Sequence, residues 1–517
     1  MDFSNYECND QMSIFDVIRQ PFKIDKPIRL IELFAGVGSQ AMALRDLGAD
    51  FEHYKIAEWE VNVCVSYKAI HMSDDNGDYS IGIEKDRLQT ILYKLGISID
   101  GKSPMTYEQI KNKGEQWQRN TYNAIKATHN LCSVYNFNGK DLDIVDTDKY
   151  SYILTYSFPC QDLSVAGKQR GMTKGSGTRS GSLWEVERLL NETENLPQVL
   201  LMENVPQVIS DANIKDFQLW QDFLTSKGYS NYVEILNAKD FGVAQNRERC
   251  FMVSILGNYN YKFPKPITIN KTVKDYLENE VDEKYYLNNE KAQKLIQKLI
   301  STNQINGNRT IVDCTINEPQ ARDISNCITA RYDCGISNQR STGIAVVERF
   351  VLTPKRTEYG KKIRKAYESG EISESRHNMT ELQPRTDGIS NTLTTVQKDN
   401  LLLEKVAIKQ ATAKGYEECV VGGVADLSFP SSKTRRGRVQ NGGNTCPTLT
   451  AETTGVCRIE SQYRIRKLIP LECWRLMDFL DEDFYKAEQV NSNSQLYKQA
   501  GNSIVKAVIM AIFKQMF

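Results

Sequence analysis

The sequence predicts an α/β fold: a mostly parallel sheet with helices on both faces, followed by a smaller, irregular β-rich unit. Three observations lead there. Short apolar runs alternate with segments of helical periodicity from Ile28 to Ile255, the pattern of strands linked by crossover helices. Gly36 and Gly38 stand where the first apolar run ends and the first helical segment begins. Beyond Pro264 and Pro266 the alternation stops, and the chain turns rich in Thr, Asn, Gly and Arg with short β-prone runs. At about 150 residues per domain, a chain of 517 residues accommodates two to four such units.

Taken in order, strands are expected at 28–34, 51–57, 133–137, 152–156, 198–202, 232–236 and 250–255. Helices are expected at 39–47, stopped by Gly48, and at 61–69 and 216–226. The stretch 74–130 is too long for one connection. Its helical patterns at 85–95 and 107–129 mark a helical insertion. The expected units are 1–263 with that insertion, 264–458, and a closing segment 459–517 whose final helix, 504–516, returns to the first unit so that its sheet is built from both chain ends.

Composition excludes several classes. With 65 Lys and Arg against 65 Asp and Glu, 40% hydrophobic and 25% charged residues, the chain is not a disordered polyelectrolyte. No run of 18 apolar residues offers a membrane span, and the polar, acidic first 20 residues do not resemble a signal peptide, so a cytoplasmic protein without membrane contact is expected. The 12 cysteines contain no Cys-x-x-Cys pair and there are only four histidines, so no metal site is expected and most thiols should be reduced and buried. Charge is uneven: 331–438 holds 19 Lys and Arg against 13 Asp and Glu, with clusters Lys361-Lys362-Ile-Arg364-Lys365 and Lys433-Thr-Arg435-Arg436-Gly-Arg438. Such clusters are usually solvated surface and also suit phosphate. The same region repeats Ile324-Ser-Asn-Cys-Ile-Thr329 as Ile389-Ser-Asn-Thr-Leu-Thr394 and, more loosely, Asn444-Thr-Cys-Pro-Thr-Leu-Thr450, preceded by Arg322, Arg385 and Arg438.

Gly36-Val37-Gly38-Ser-Gln-Ala41 fits the turn that brings a nucleotide to a helix N-terminus. Glu58, 20 residues past Gly38 at the end of the second strand, can accept from both hydroxyls of a ribose. Phe34 and Trp59 could sandwich an adenine, and Asp141, followed by Leu142, could accept from its amino group. NAD, FAD and S-adenosylmethionine all satisfy this set.

Ser157-Phe-Pro159-Cys160-Gln161 follows the 152–156 strand at the carboxyl edge of the sheet, where open α/β folds bind ligands. Pro159 fixes the backbone ahead of the thiol. Glu203-Asn204-Val205 follows the next strand on the same edge, and Gln245-Asn-Arg247-Glu-Arg249 places two guanidinium groups on one face of an extended segment, suited to an anionic or carbonyl ligand. No histidine is near in sequence, which disfavours a Cys-His hydrolase.

Together these residues resemble the DNA (cytosine-5)-methyltransferases of bacteria and phages, over most of the chain. Phe34-Ala-Gly36-Val37-Gly38 is similar to that family's cofactor turn, Glu58-Trp59 to its ribose and adenine contacts, Pro159-Cys160-Gln161 to its nucleophile loop and Glu203-Asn204-Val205 to its acid motif. Gln245-x-Arg247-x-Arg249 is shared, Pro447-Thr-Leu-Thr450 resembles the strand closing the recognition domain, and Gln499-Ala-Gly501-Asn502-Ser503 resembles the C-terminal return motif. The departures are Ser39 in place of a second glycine, the long 74–130 insertion and the extra repeat copies.

The resemblance implies a Rossmann-like, S-adenosylmethionine-dependent methyltransferase sheet in 1–263 and a target-recognition domain in 264–458. It implies Cys160 as nucleophile, Glu203 as acid, and Arg249 supported by Arg247 at the base. The donor S-adenosylmethionine would lie against Phe34, Gly36, Val37, Gly38, Glu58 and Trp59, with Asp141, Leu142, Pro159, Asn502 and Ser503 completing its site. The expected substrate is a cytosine flipped out of double-stranded DNA, methylated at carbon 5 in a specific sequence. A monomer is expected, compatible with a cognate restriction endonuclease as partner without requiring one. A tRNA cytosine-5 methyltransferase of the same fold is the alternative, although that branch usually carries a small recognition domain and this one has nearly 200 residues.

Overall fold

The computed structural model describes residues 19–160, 162–163, 171–267, 271–278, 281–287 and 468–517, with a set of short segments between 309 and 466. Its centre is a six-stranded sheet. Strands β1 (Ile28–Leu33), β2 (Phe51–Ala57), β3 (Ser151–Tyr156) and β4 (Val199–Asn204) are parallel in the order β2-β1-β3-β4. β5 (Tyr229–Asn237) and β7 (Glu248–Leu256), flanking the two-residue β6 (Gln245–Asn246), extend it to β4-β7-β5, with β7 antiparallel to both neighbours. The expected α/β class holds, with one reversed strand in the sheet.

Apolar alternation places the sheet in a three-layer sandwich. Ile28 and Leu30 of β1 face one core with Ile153, Val199, Leu201, Phe251 and Val253. Ile31 and Leu33 face the other with Leu154, Leu200, Met202 and Met252. Every residue of β3 and β4 is buried, as expected for strands covered on both faces. Helices α1 (Ser39–Asp46) and α2 (Val61–His71) follow β1 and β2; α6 (Leu183–Glu192) and α7 (Ile214–Ser226) come later in the chain, either side of β4. α3 (Lys85–Lys94), α4 (Tyr107–Lys111) and α5 (Glu115–Ala127) form the insertion, around a separate small core of Leu88, Leu92, Ile97, Ile110 and Ile125. The single helix expected over 107–129 is split, because Lys113 and Gly114 intervene between two N-terminal signals.

The strand expected at 133–137 is absent. One parallel bridge pairs Ile56 with Asn130, and Leu131 N donates to Ile56 O at 2.8 Å. The chain then leaves the sheet. His129 and Cys132 adopt positive φ, and the Asn130 side chain supplies the partners a strand would have given: Oδ1 accepts from Glu58 N at 3.0 Å and Nδ2 donates to Glu58 O at 2.9 Å.

The C-terminal segment contributes helices and no strand to the central sheet, a correction to the expectation that both chain ends build it. α8 (Pro470–Arg475), α9 (Asp481–Glu488), α10 (Asn493–Asn502) and α11 (Lys506–Lys514) share the first core with β1. Val508, Ile509, Ile512, Phe513 and Met516 are buried there, contributing on the order of 10 kcal/mol of apolar transfer, more than surrounding ion pairs supply. Arg45 of α1 donates to both carboxylate oxygens of Asp483 at 2.8 Å, and Lys506 pairs with Asp46.

Between the two ends, β8 (Tyr286–Leu287), β9 (Arg309–Asp313), β10 (Gln320–Arg322), β12 (Ile344–Arg349) and β13 (Tyr463–Arg466) form an antiparallel sheet in the order β8-β13-β12-β9-β10. β11 (Ser325–Asn326) pairs in parallel with β6. The basic clusters at 361–365 and 433–438, and the second and third repeat copies, lie outside the described residues. Among the described residues no helix is long and apolar enough to cross a membrane.

The return to the first layer is fixed by a buried ion pair. Arg466 donates to both oxygens of Glu472 at 2.9 and 3.0 Å with neither side chain exposed, and Glu472 also accepts from the backbone of Ile469 and Glu278. Removing one partner strands the other charge in the core, typically at about 3–5 kcal/mol. Glu472→Ala should therefore lower the urea midpoint by an amount equivalent to about 3–5 kcal/mol; a change below about 1 kcal/mol would show that the pair does not hold the junction.

Candidate active site

The carboxyl ends of β2, β1, β3 and β4 stand side by side, spanning about 14 Å at the usual strand spacing. A cavity of about 380 Å³ opens along them. Its size and place, over the switch between β1 and β3, are those of a ligand site in an open α/β fold.

The glycine turn forms one wall. Phe34 follows β1 with φ 58° and its N donates to Ala57 O at 2.8 Å, so the turn is tied to the end of β2. Gly36, at φ 57°, presents its N to Glu58 Oε2 at 3.1 Å. Phe34, Gly36 and Val37 line the cavity with Glu58 and Trp59. Gly38 does not. A Cβ there would lie 2.3 Å from His71 Nε2 and 2.7 Å from Tyr67, so this glycine permits close packing of the turn onto α2. Glu58 accepts a second hydrogen bond from Glu60 N at 2.8 Å, yet burial pushes its carboxyl up to about 7, helped by the neighbouring Glu60. A carboxylate accepts up to about four hydrogen bonds, so Glu58 keeps room for a ribose hydroxyl beside its backbone donors.

Asp141 and Leu142 are not brought here. Asp141 is exposed and accepts from Asn138 N at 2.8 Å, closing its own 3-10 turn, while Leu142 is buried in the second core. Both expectations depend on the 133–137 strand, and without it the segment runs elsewhere. Ser133, Val134 and Tyr135 take that place on the wall. Ser503 is also displaced from the expected role: it is buried, its Oγ donates to Gln499 O at 2.7 Å, and Asn502 alone of the pair reaches the cavity.

Pro159, Cys160, Glu203, Arg247 and Arg249 line the same cavity. Asn204 anchors the thiol's segment, its Nδ2 donating to Phe158 O at 3.0 Å, and Ser180 Oγ donates to Pro159 O at 2.7 Å. Gln161 lies outside the described residues. Burial raises the Cys160 thiol above its usual range, against the pull of Arg249, so the free protein keeps it protonated. Glu203, 8% exposed, pairs with Arg249 Nε at 3.0 Å; burial nevertheless raises its carboxyl.

Arg247 faces a different set. Its Nη1 donates to Ile328 O at 3.0 Å and to Cys327 Sγ at 3.1 Å, and its Nη2 to Ser503 O at 2.7 Å and Gly501 O at 3.1 Å. Gln245 Oε1 accepts from Ile328 N at 3.0 Å. The first repeat copy thus docks on the Gln245-x-Arg247 strand, while Pro447–Thr450 lies outside the described residues. Cys327 also receives Arg249 Nη2 at 3.8 Å; burial alone would raise its thiol, but the two guanidinium groups hold it below the usual value. Sequence reasoning missed Cys327, because nothing in a repeat marks which copy meets the arginines. It also missed Asn130, Lys102, Arg179 and Lys498. The last three line the cavity from remote parts of the chain.

Comparison with known proteins gives the family. The C-5 cytosine-specific DNA methylase family matches residues 105–517. The type II methyltransferase M2.ScrFI of Lactococcus lactis subsp. cremoris is 30% identical over 493 residues, covering 95% of this chain and 99% of its own. The orphan methyltransferase M.SssI of Spiroplasma monobiae is 40% identical over 267 residues, covering 51% of this chain and 68% of its own. The orphan methyltransferase M.SPBetaI of Bacillus phage SPbeta is 26% identical over 528 residues, covering 95% of this chain and 97% of its own. Matched over most of its length by the family, and nearly end to end by a relative at 30% identity, the chain belongs to the C-5 cytosine-specific DNA methylases.

Proposed function

We propose that this chain methylates carbon 5 of a cytosine flipped out of double-stranded DNA, through a covalent bond from Cys160 to ring carbon 6. Family membership supplies the reaction class, cytosine-5 methylation of DNA with S-adenosylmethionine as donor. The observation that carries the finer reading is the convergence of Cys160, Glu203 and Arg249 on the cavity that Glu58 and Trp59 also line.

Carbon 5 of cytosine is a poor nucleophile. Attack of the Cys160 thiolate on carbon 6 breaks aromaticity and makes carbon 5 enamine-like. Negative charge then develops toward ring nitrogen 3, where a protonated Glu203 donates; its burial favours the protonated form. Arg249 has N–H groups left beyond its contacts to Glu203, Glu248 and Cys327 to hold the carbonyl at ring position 2. Its charge also favours the thiolate. S-adenosylmethionine supplies the electrophilic methyl group when bound. The Cys160 thiol proton before attack, and the carbon-5 proton after methylation, pass to solvent water; loss of the second expels Cys160 as thiolate and restores the ring, and the nitrogen-3 proton returns to Glu203. Phe34 and Trp59 would hold the adenine, and Glu58 the ribose.

A base inside a duplex cannot reach a thiol at the floor of such a cavity. Flipping costs a few kcal/mol, which calls for a second unit gripping the DNA. We assign that grip and the reading of sequence to 264–458, where the basic clusters and repeats lie. The chain would act as a monomer, and the chemistry needs no endonuclease.

Long duplex DNA synthesised with 5-fluorocytosine tests the mechanism, because carbon 5 then has no proton to lose. With donor present, the wild-type protein should form an adduct stable to denaturation, and Cys160→Ala should form none. An adduct of equal yield on Cys160→Ala would refute the assignment.

The Glu58 carboxyl predicts a pH dependence. Ribose hydroxyls donate to the ionised form, so donor binding should lower its pKa and release protons near pH 7. Affinity should be highest above pH 7, with the dissociation constant rising by up to about tenfold per pH unit below it. Calorimetry in buffers of different ionisation enthalpy checks this. Binding equally tight at pH 8 and pH 5.5 would contradict it.

A further inference from the structure

The helical insertion carries one loop that meets the cavity, at 98–103. Ser98 N donates to Trp59 O at 2.7 Å and Val61 N donates to Ser98 O at 2.9 Å, so the loop is paired with the backbone on both sides of Glu60. Ser98 is fully buried. Its Oγ donates to Ser103 O at 2.6 Å and accepts from Gly101 N at 3.0 Å, and Asp100 Oδ1 accepts from Lys102 N at 2.8 Å. The loop therefore has a fixed internal form. Gly101, at φ 69°, lies so close to Glu60 that a Cβ would come 2.6 Å from Glu60 Oε2.

Two more parts of the chain hold it. Lys498 of α10 donates to Glu60 Oε1 at 2.6 Å and to Asp100 O at 2.9 Å. Arg179 Nη2 donates to Lys102 O at 3.2 Å. Gly101 and Lys102 then line the cavity beside Glu58 and Trp59.

We propose that the 98–103 loop is part of the methyl donor's binding site: Ser98 positions Trp59 through the backbone, and Lys102 closes the wall beside the adenosine end. The insertion thereby acts in holding the donor. This rests on the reading that the cavity beside Glu58 and Trp59 receives S-adenosylmethionine.

The test is calorimetric titration of S-adenosylmethionine, without DNA, into wild type, Ser98→Ala, Lys102→Ala and Glu58→Ala, with DNA affinity and melting temperature measured in parallel. Ser98 does not touch the cavity, so Ser98→Ala alters the loop's internal form, whereas Lys102 holds the loop through its backbone and Lys102→Ala trims only the side chain on the wall. Each should raise the donor dissociation constant by about five- to tenfold, with DNA affinity within twofold of wild type. Loop variants that bind donor within twofold of wild type, while Glu58→Ala weakens it, would overturn the inference alone. Parallel losses of donor affinity, DNA affinity and melting temperature would also overturn it, since the loop would then serve only the fold. Donor affinity unchanged even in Glu58→Ala would instead remove the underlying reading of the cavity.

Discussion

The buried guanidinium of Arg247 is the interaction on which the site depends. Among the described residues it has no carboxylate partner within ion-pair distance; its Nη groups are taken by Ile328, Cys327, Gly501 and Ser503, and its Nε has no hydrogen-bond partner. Hydrogen bonds from a charged donor are worth about 1.5–3 kcal/mol each, and an unmatched buried charge costs more than that. The charge can therefore remain buried only while two distant segments stay docked on the extended stretch that carries both Arg247 and Arg249. Those segments are the first repeat copy and the C-terminal return that presents Asn502. The same side chain lines the cavity and ties distant parts of the chain together.

The cavity gathers several ionisable groups whose titration burial has shifted. Glu58 and Glu203 are carboxyls raised by burial, and the Cys160 thiol is raised as well. Glu32, fully buried beneath the glycine turn, is pushed up to about 7 although Tyr67 and Ala41 donate to it. Glu32 lies outside the cavity lining, whereas Glu58 and Glu203 face it, and a ligand that hydrogen-bonds to them offsets the cost of their burial. The groups sort along the sheet edge: the Glu58 acceptor and the Phe34 and Trp59 rings stand at β1 and β2, and Cys160, Glu203 and Arg249 at β3, β4 and β7.

The sequence was most legible where one residue type has one physical use. Gly36 must adopt positive φ, Glu58 and Cys160 must follow their strands, and Glu203 must stand at the carboxyl end of its own; all line the one cavity. It was least legible where a side chain replaced backbone. Val134 and Phe137 read as a strand because apolar residues are buried in strands and turns alike, whereas Asn130 took over the pairing and redirected the chain, carrying Asp141 and Leu142 away from the site. Long-range partners were equally hidden. No local pattern could tell that Cys327 meets Arg247 across 80 residues, or that Lys498 reaches the insertion across nearly 400.

Hydrogen exchange on Arg247→Lys tests the clamp most directly. Lysine keeps the charge but cannot reach four acceptors at once. The reporting amides are Ser503 N, bonded to Gln499 O, and Ile328 N and Ser325 N, bonded to Gln245 Oε1 and Ala244 O. The account predicts that all three exchange at least about tenfold faster in the variant, the loss of about 1.4 kcal/mol of local protection, while amides of β1 and β3 are unchanged. Unchanged protection of these three amides in Arg247→Lys would contradict it.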